Sequence, residues 1–181
     1  RDEKDRFFAV GARVMPGDDG AKYINSKASP VYDKSSQFYG LSQAKATMLR
    51  TKLAIVTEGY LDVIRMHQFG FTNALAVCGT ALKESHLQKL SRFVERVILL
   101  MDGDNAGRNA ALKAVPVFLD AGVDVTIASL PEGDDPDSFF DKHENPVAKM
   151  EGILEAARGP FYFYVDNVYS DLLKNGGVNN T

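Results

Sequence analysis

The chain has 181 residues, 45% hydrophobic and 25% charged, enough for one large domain or a domain with an appendage and able to bury a core. Its apolar runs, such as Val97–Met101, are far too short to span a bilayer, and a lone cysteine, Cys78, excludes an internal disulfide or a Cys-based zinc site within these residues. The net charge of −3 argues weakly against nucleic acid, but residues 1–52 hold 10 Lys/Arg against 6 Asp/Glu (+4), while residues 53–181 hold 11 against 18 (−7).

In chain order, residues 6–15 and 22–25 read as a β-hairpin around the turn signal Pro16-Gly-Asp-Asp-Gly20. Residues 26–40, with Ser, Pro and Gly, read mostly as loop. Residues 41–51 favour helix, with Ser42 as the N-cap. From residue 53 strands and helices alternate. Strands are expected at Leu53–Thr57, Ala74–Cys78, Val97–Met101 and Val123–Leu130. Helices are expected at 60–69 (ended by Gly70), 83–93 and 105–121 (with Gly122 beyond). Pro116 inside that last helix predicts a kink or an early end. Asp135-Pro136 predicts an N-cap with proline at the first helical position. Residues 146–173 read as helix, broken at Gly159-Pro160.

This rhythm predicts an α/β fold with a mostly parallel sheet flanked by helices, preceded by a small β-rich basic segment and followed by C-terminal helices. Three parts are expected: a basic segment over 1–52, the α/β domain over 53–145 and a helical segment over 146–181. The chain starts at Arg1 and ends in Asn-Gly-Gly-Val-Asn-Asn-Thr181, which reads as a fragment of a longer protein.

The acids fall in a pattern. Glu58 follows the first strand of the alternating series, Asp102 and Asp104 follow the third, and Asp134, Asp135 and Asp137 follow the fourth. All lie at the strand ends where open parallel sheets build their sites. If those strands are neighbours, the carboxylates converge. Converged carboxylates need a cation, and oxygen-only donors suit Mg²⁺ or Mn²⁺, in two or more ions, rather than zinc. Such ions serve phosphoryl and nucleotidyl transfer. Gly59, Gly79 and Gly103 stand at the same turns, and Gly107 and Arg108 open the helix after Asp104. Taken singly, Asp62, Asp104 and Asp135 also fit as helix caps and nothing more.

Glu58-Gly-Tyr-Leu-Asp62-Val and Asp102-Gly-Asp-Asn-Ala-Gly-Arg108 resemble the two signatures of the TOPRIM (topoisomerase–primase) domain, and Asp135-Pro-Asp137 resembles the third acidic motif of its primase branch. Gly11-Ala-Arg13-Val, Lys22-Tyr23-Ile-Asn25-Ser, Tyr32-Asp-Lys34 and Leu41 after Tyr39-Gly40 resemble the basic segment before TOPRIM in bacterial replicative primases of the DnaG type. The run Asn25-Ser-Lys-Ala-Ser-Pro30 departs from the family's NSPET, and Val77-Cys-Gly79-Thr80 from its Ser-Leu-Gly-Thr-like turn; neither touches the acids.

The resemblance implies a fragment of a primase making RNA primers on single-stranded DNA by nucleotidyl transfer. It implies Glu58, Asp102 and Asp104 as catalytic and, with Asp135 and Asp137, as ligands of Mg²⁺ or Mn²⁺. Whether Glu58 is ligand or base stays open. It also implies that Arg13, Lys22, Tyr23, Asn25 and Lys34 contact nucleic acid or nucleotide phosphate, with Gly59, Asp62, Gly79, Thr80, Gly103, Gly107 and Arg108 in support. The implied partners are the template, NTPs, the RNA primer–DNA hybrid and a replicative helicase met through a domain outside these residues. The implied setting is the bacterial cytoplasm at the replication fork, or a phage-encoded origin. A TOPRIM nuclease or topoisomerase, and a non-catalytic TOPRIM binding module, are the alternatives.

Overall fold

A computed structural model describes residues 1–13, 23–119 and 122–174. The central sheet has five strands: β3 (Phe38–Tyr39), β4 (Leu53–Thr57), β5 (Ala74–Val77), β6 (Arg96–Met101) and β7 (Asp124–Ser129). Their spatial order is β3-β5-β4-β6-β7, all parallel except β3, which pairs antiparallel with β5. A separate two-stranded sheet joins β1 (Gly11–Arg13) to β2 (Tyr23–Asn25), with Ala12 opposite Ile24.

The sheet is buried on both faces, as parallel sheets require. The strands show it by alternation. Ala54, Val56, Val97, Leu99, Met101, Val125 and Ile127 face one hydrophobic cluster; Ile55, Ile98, Leu100, Ala128 and Leu130 face the other. The first cluster is closed by α1 (Leu41–Thr51), α3 (Glu84–Leu90), α4 (Asn105–Leu119) and Phe163 of α7 (Pro160–Lys174). The second is closed by α2 (Tyr60–Gln68), α5 (Pro136–Lys142) and α6 (Pro146–Glu155), through Met66, Phe139, Phe140 and Met150.

The chain runs from β4 out to β5, then returns to place β6 on β4's other side. The connections therefore diverge between β4 and β6, opening a crevice at the strands' C-terminal ends. Glu58 and Asp102 stand one residue past those two strands.

Most expected elements are present within a residue or two, including Pro136 at the start of α5 and the break before Pro160. Three details differ. The hairpin strands are three residues each, and the turn at 16–20 lies outside the described residues. Residues 26–40 are mostly loop, as expected, ending in the short strand of buried Phe38 that covers the sheet edge at β5. The N-cap of α1 is Gly40, at φ 83°, and not Ser42, whose hydroxyl instead donates to Asp5 at 2.5 Å. Helix α4 continues to Leu119, three residues past Pro116, rather than ending there.

Leu100 is fully buried in β6, between two strands and under α5. Leu100→Ala should lower unfolding free energy by about 2–5 kcal/mol, read as a lower urea midpoint at unchanged slope.

Candidate metal and phosphate site

Three successive strands, β4, β6 and β7, lie side by side, so the convergence expected of their acids occurs. A polar cavity of ≈ 260 Å³ is lined by Glu58, Asp62, Asp102, Asp135 and Asp137, with Gly59, Leu61 and Arg13. Five carboxylates and one guanidinium thus share a single space.

Three acids at this edge, Asp62, Asp104 and Asp135, are set by a backbone N–H at a helix start. Gly59 N–H donates to Asp62 at 2.7 Å, fixing the first turn of α2. Gly107 N–H donates to Asp104 at 2.7 Å at the start of α4. Ser138 N–H donates to Asp135 at 2.7 Å, with Pro136 at the first helical position. Capping and site formation are therefore the same bonds, since a capping oxygen leaves its partner oxygen for a ligand.

The two aspartate loops are joined to each other. Gly103 N–H donates to Asp134 O at 2.8 Å, and Gly133 N–H donates to Gly103 O at 2.9 Å. A Cβ at Gly103 would overlap the Pro131 carbonyl, so only glycine permits this approach. A Cβ at Gly107 would press on Asp102 O at 2.9 Å and Glu58 Oε1 at 3.0 Å. Asp134, counted with its neighbours in sequence, is buried and turned to Lys142 (2.6 Å) and His143 (2.7 Å). Burial alone would raise its pKa, but these bonds outweigh it and hold the carboxyl below the usual range.

The cavity's own acids shift the other way. Desolvation by burial, then repulsion from Glu58, Asp62, Asp135 and Asp104, pushes Asp102 up to about 7. Burial, then Asp135, Asp137 and Glu58, pushes Asp62 up to about 6 against the Gly59 hydrogen bond. Glu58 opens to solvent, yet the partial burial of its carboxyl and the nearby Asp104 raise its pKa also. Asp102 Oδ1 is buried with no hydrogen-bond partner. An orphaned acceptor among repelling carboxylates suits a hard divalent cation, which prefers oxygen donors. Among the described residues, however, no group of three or more Asp, Glu, His or Cys side chains is gathered closely enough to hold an ion as it stands.

The other expected residues are distributed around this centre. Asp104 and Arg108 line an adjoining cavity of ≈ 520 Å³, together with Asp102 and Gly103. Asn25 accepts from Tyr60 Oη at 2.7 Å and, with Gly79, lines a small cleft against Glu58 and Gly59. Tyr60 stacks on Tyr39 at 4.5 Å, so the hairpin is docked at the start of α2. Thr80 donates to Lys34 O at 3.2 Å, and the buried His86 ring lies 3.1 Å from the same carbonyl. The Lys34 loop is thereby fixed on α3, although Lys34 does not line the acid cavity. Tyr23 lies in β2, and Lys22 lies outside the described residues. Sequence reasoning missed Arg65, which reaches Asp137 and Asp141 from α2. Its only signal was its place three residues after Asp62, on the same helical face.

A carboxyl whose folded pKa lies above its unfolded value is favoured as the neutral acid in the fold. Its stabilisation is present below about pH 4 and is lost as pH rises through the folded values, here about 6 for Asp62 and about 7 for Asp102. Urea unfolding of the ion-free chain should show this fall between acidic and mildly alkaline pH. Asp102→Asn should show a shallower fall.

Residues 55–140 match a Toprim-like family, and residues 1–45 match the N-terminal domain of the DNA primase catalytic core. The DNA primase of Myxococcus xanthus is 41% identical over 172 residues, covering 94% of this chain and 27% of that protein. The chain thus spans little more than a quarter of that relative's length. The crystal structure of the Aquifex aeolicus primase zinc-binding and RNA polymerase domains aligns with a TM-score of 0.84 at 34% identity, over 96% of this chain and 43% of that one. The structure of a DnaG primase catalytic domain bound to single-stranded DNA aligns with a TM-score of 0.78 at 33% identity, over 97% of this chain and 55% of that one. With its acid motifs inside one match and its basic hairpin inside the other, the chain belongs to the Toprim-containing catalytic core of bacterial DnaG-type DNA primases.

Proposed function

We propose that this chain is the ion- and nucleotide-handling part of a DNA-dependent RNA primase, which makes short RNA primers on single-stranded DNA by nucleotidyl transfer. The observation that carries the reading is the meeting of Glu58, Asp62, Asp102, Asp135 and Asp137 with Arg13 around one cavity at the β4–β6 crevice. The relative bound to single-stranded DNA supports the template as partner. NTPs, the primer–template hybrid and, through parts of the longer relatives beyond this span, a replicative helicase complete the proposed partners, in the bacterial cytoplasm or a phage-infected cell.

In this reading Glu58, Asp102, Asp104, Asp135 and Asp137 hold Mg²⁺ or Mn²⁺. Bound ions supply charge stabilisation to the triphosphate and to the departing pyrophosphate. Arg13 meets phosphate charge on the other wall of the cavity. Asp62 keeps the Gly59 turn in register so that Glu58 faces the cavity. Glu58 either completes the ion's ligands or accepts the proton of the attacking 3′-hydroxyl. Lys22, Tyr23, Asn25 and Lys34 carry the strand or nucleotide phosphates to the acids, an electrostatic role consistent with the basic first part of the chain.

In the full-length parent, Glu58→Gln or Asp102→Ala should lower primer synthesis on a single-stranded template by at least about a hundredfold. Unchanged synthesis would overturn the assignment. Nicking of supercoiled DNA by the same preparations would favour a nuclease or topoisomerase reading instead. In the chain itself, Mn²⁺ titration should give saturable binding that Asp102→Ala weakens.

A further inference from the structure

Arg65 stands beside Asp137, one of the acids that line the cavity. It lies on α2, three residues after Asp62, and its side chain is only 19% exposed. Its guanidinium pairs with Asp141 and donates to Gln68 at 3.1 Å. The Phe69 ring lies under it, 5.3 Å from centroid to Cζ, and Phe69 is itself stacked on Phe140 of α5 at 4.2 Å. The cation is thus gripped between the two helices that carry Asp62 and Asp137.

One bond is missing from this grip. Arg65 Nε is buried without a hydrogen-bond partner, and Asp137 Oδ1 lies 3.7 Å from it. That separation is an ion pair but too long for a hydrogen bond. A buried donor without an acceptor is costly, so the guanidinium gains whenever Asp137 comes closer. Asp137 also lines the acid cavity. Its carboxylate therefore stands between a fixed cation on one side and the space for an ion on the other.

We propose that Arg65 competes with divalent cations for Asp137 and so sets the ion affinity of this cavity. The inference rests on the metal-binding reading of the same cavity. In the ion-free chain Arg65 offsets the charge of Asp137 across 3.7 Å. An ion that takes Asp137 as a ligand does so against that attraction. Arg65 is a positioning residue: it touches no substrate and acts only through Asp137.

The test is Mn²⁺ titration of the chain, following free Mn²⁺ by electron paramagnetic resonance, with thermal unfolding to show that each variant is folded. Arg65→Gln should bind Mn²⁺ tighter by on the order of 3- to 10-fold, the scale of one lost opposite-charge attraction in a partly solvated site. Arg65→Lys, which keeps the charge, should stay nearer the unaltered affinity. In an Asp137→Asn background the gain from Arg65→Gln should disappear. Unchanged or weaker binding by Arg65→Gln overturns the proposal, as does a gain that persists without Asp137, which would make Arg65 a general field effect. Failure of the unaltered chain to bind Mn²⁺ overturns the underlying metal reading, a separate result.

Discussion

Carboxylates brought to one sheet edge repel each other, and something must hold them there before any ion arrives. Backbone N–H groups do so in this fold. Asp62, Asp104 and Asp135 each accept from an amide at a helix start, and that amide would otherwise lack a partner. The helix dipoles add favourable partial charge at the same points. Burial first, and the remaining repulsion after it, raise the pKa values of Asp102, Asp62 and Glu58. Parallel order supplies the rest. Because β4, β6 and β7 are neighbours running the same way, their following loops open on one side of the sheet.

Around this edge the structure assembles cations at graded distance. Arg13 lines the cavity, and Arg65 pairs with Asp137, one of its acids. The hairpin that supplies Arg13 is fixed at its other strand by the Tyr60–Asn25 bond and beside it by the Tyr39–Tyr60 stack. The loop of Lys34 is fixed through its own carbonyl and that of Ser35, which receive Thr80 and Ser85 hydroxyls. Arg13 and Lys34 thus come from the basic first part of the chain, while Arg65 comes from the same later part as the carboxylates.

Much of this frame was legible in sequence because it rests on local rules. Alternating apolar runs gave the strands β4 to β7. The acids after them were informative because strand ends in parallel sheets are where sites form. The Asp135-Pro136 start of α5 needs only one turn of chain to specify. What could not be read depends on distant partners. Ser42 looks like a cap, but Asp5 claims its hydroxyl and Gly40 takes the position. Phe38–Tyr39 is too short to announce a strand and becomes one only beside β5. Asp134 resembles its neighbours in sequence, and only Lys142 and His143 turn it away. Arg65 reads as an ordinary helix surface residue until α5 is packed against α2.

The Gly103 splice carries a consequence for how such a chain can vary. Its two backbone bonds tie the loop after β6 to the loop after β7, with the Pro131 carbonyl filling the place of a side chain. Neither loop has an independent length. An insertion in one would unzip both and scatter acids that belong to different motifs. A change of length in either loop is therefore expected to displace acids of both motifs, whereas loops without such a splice can change length alone.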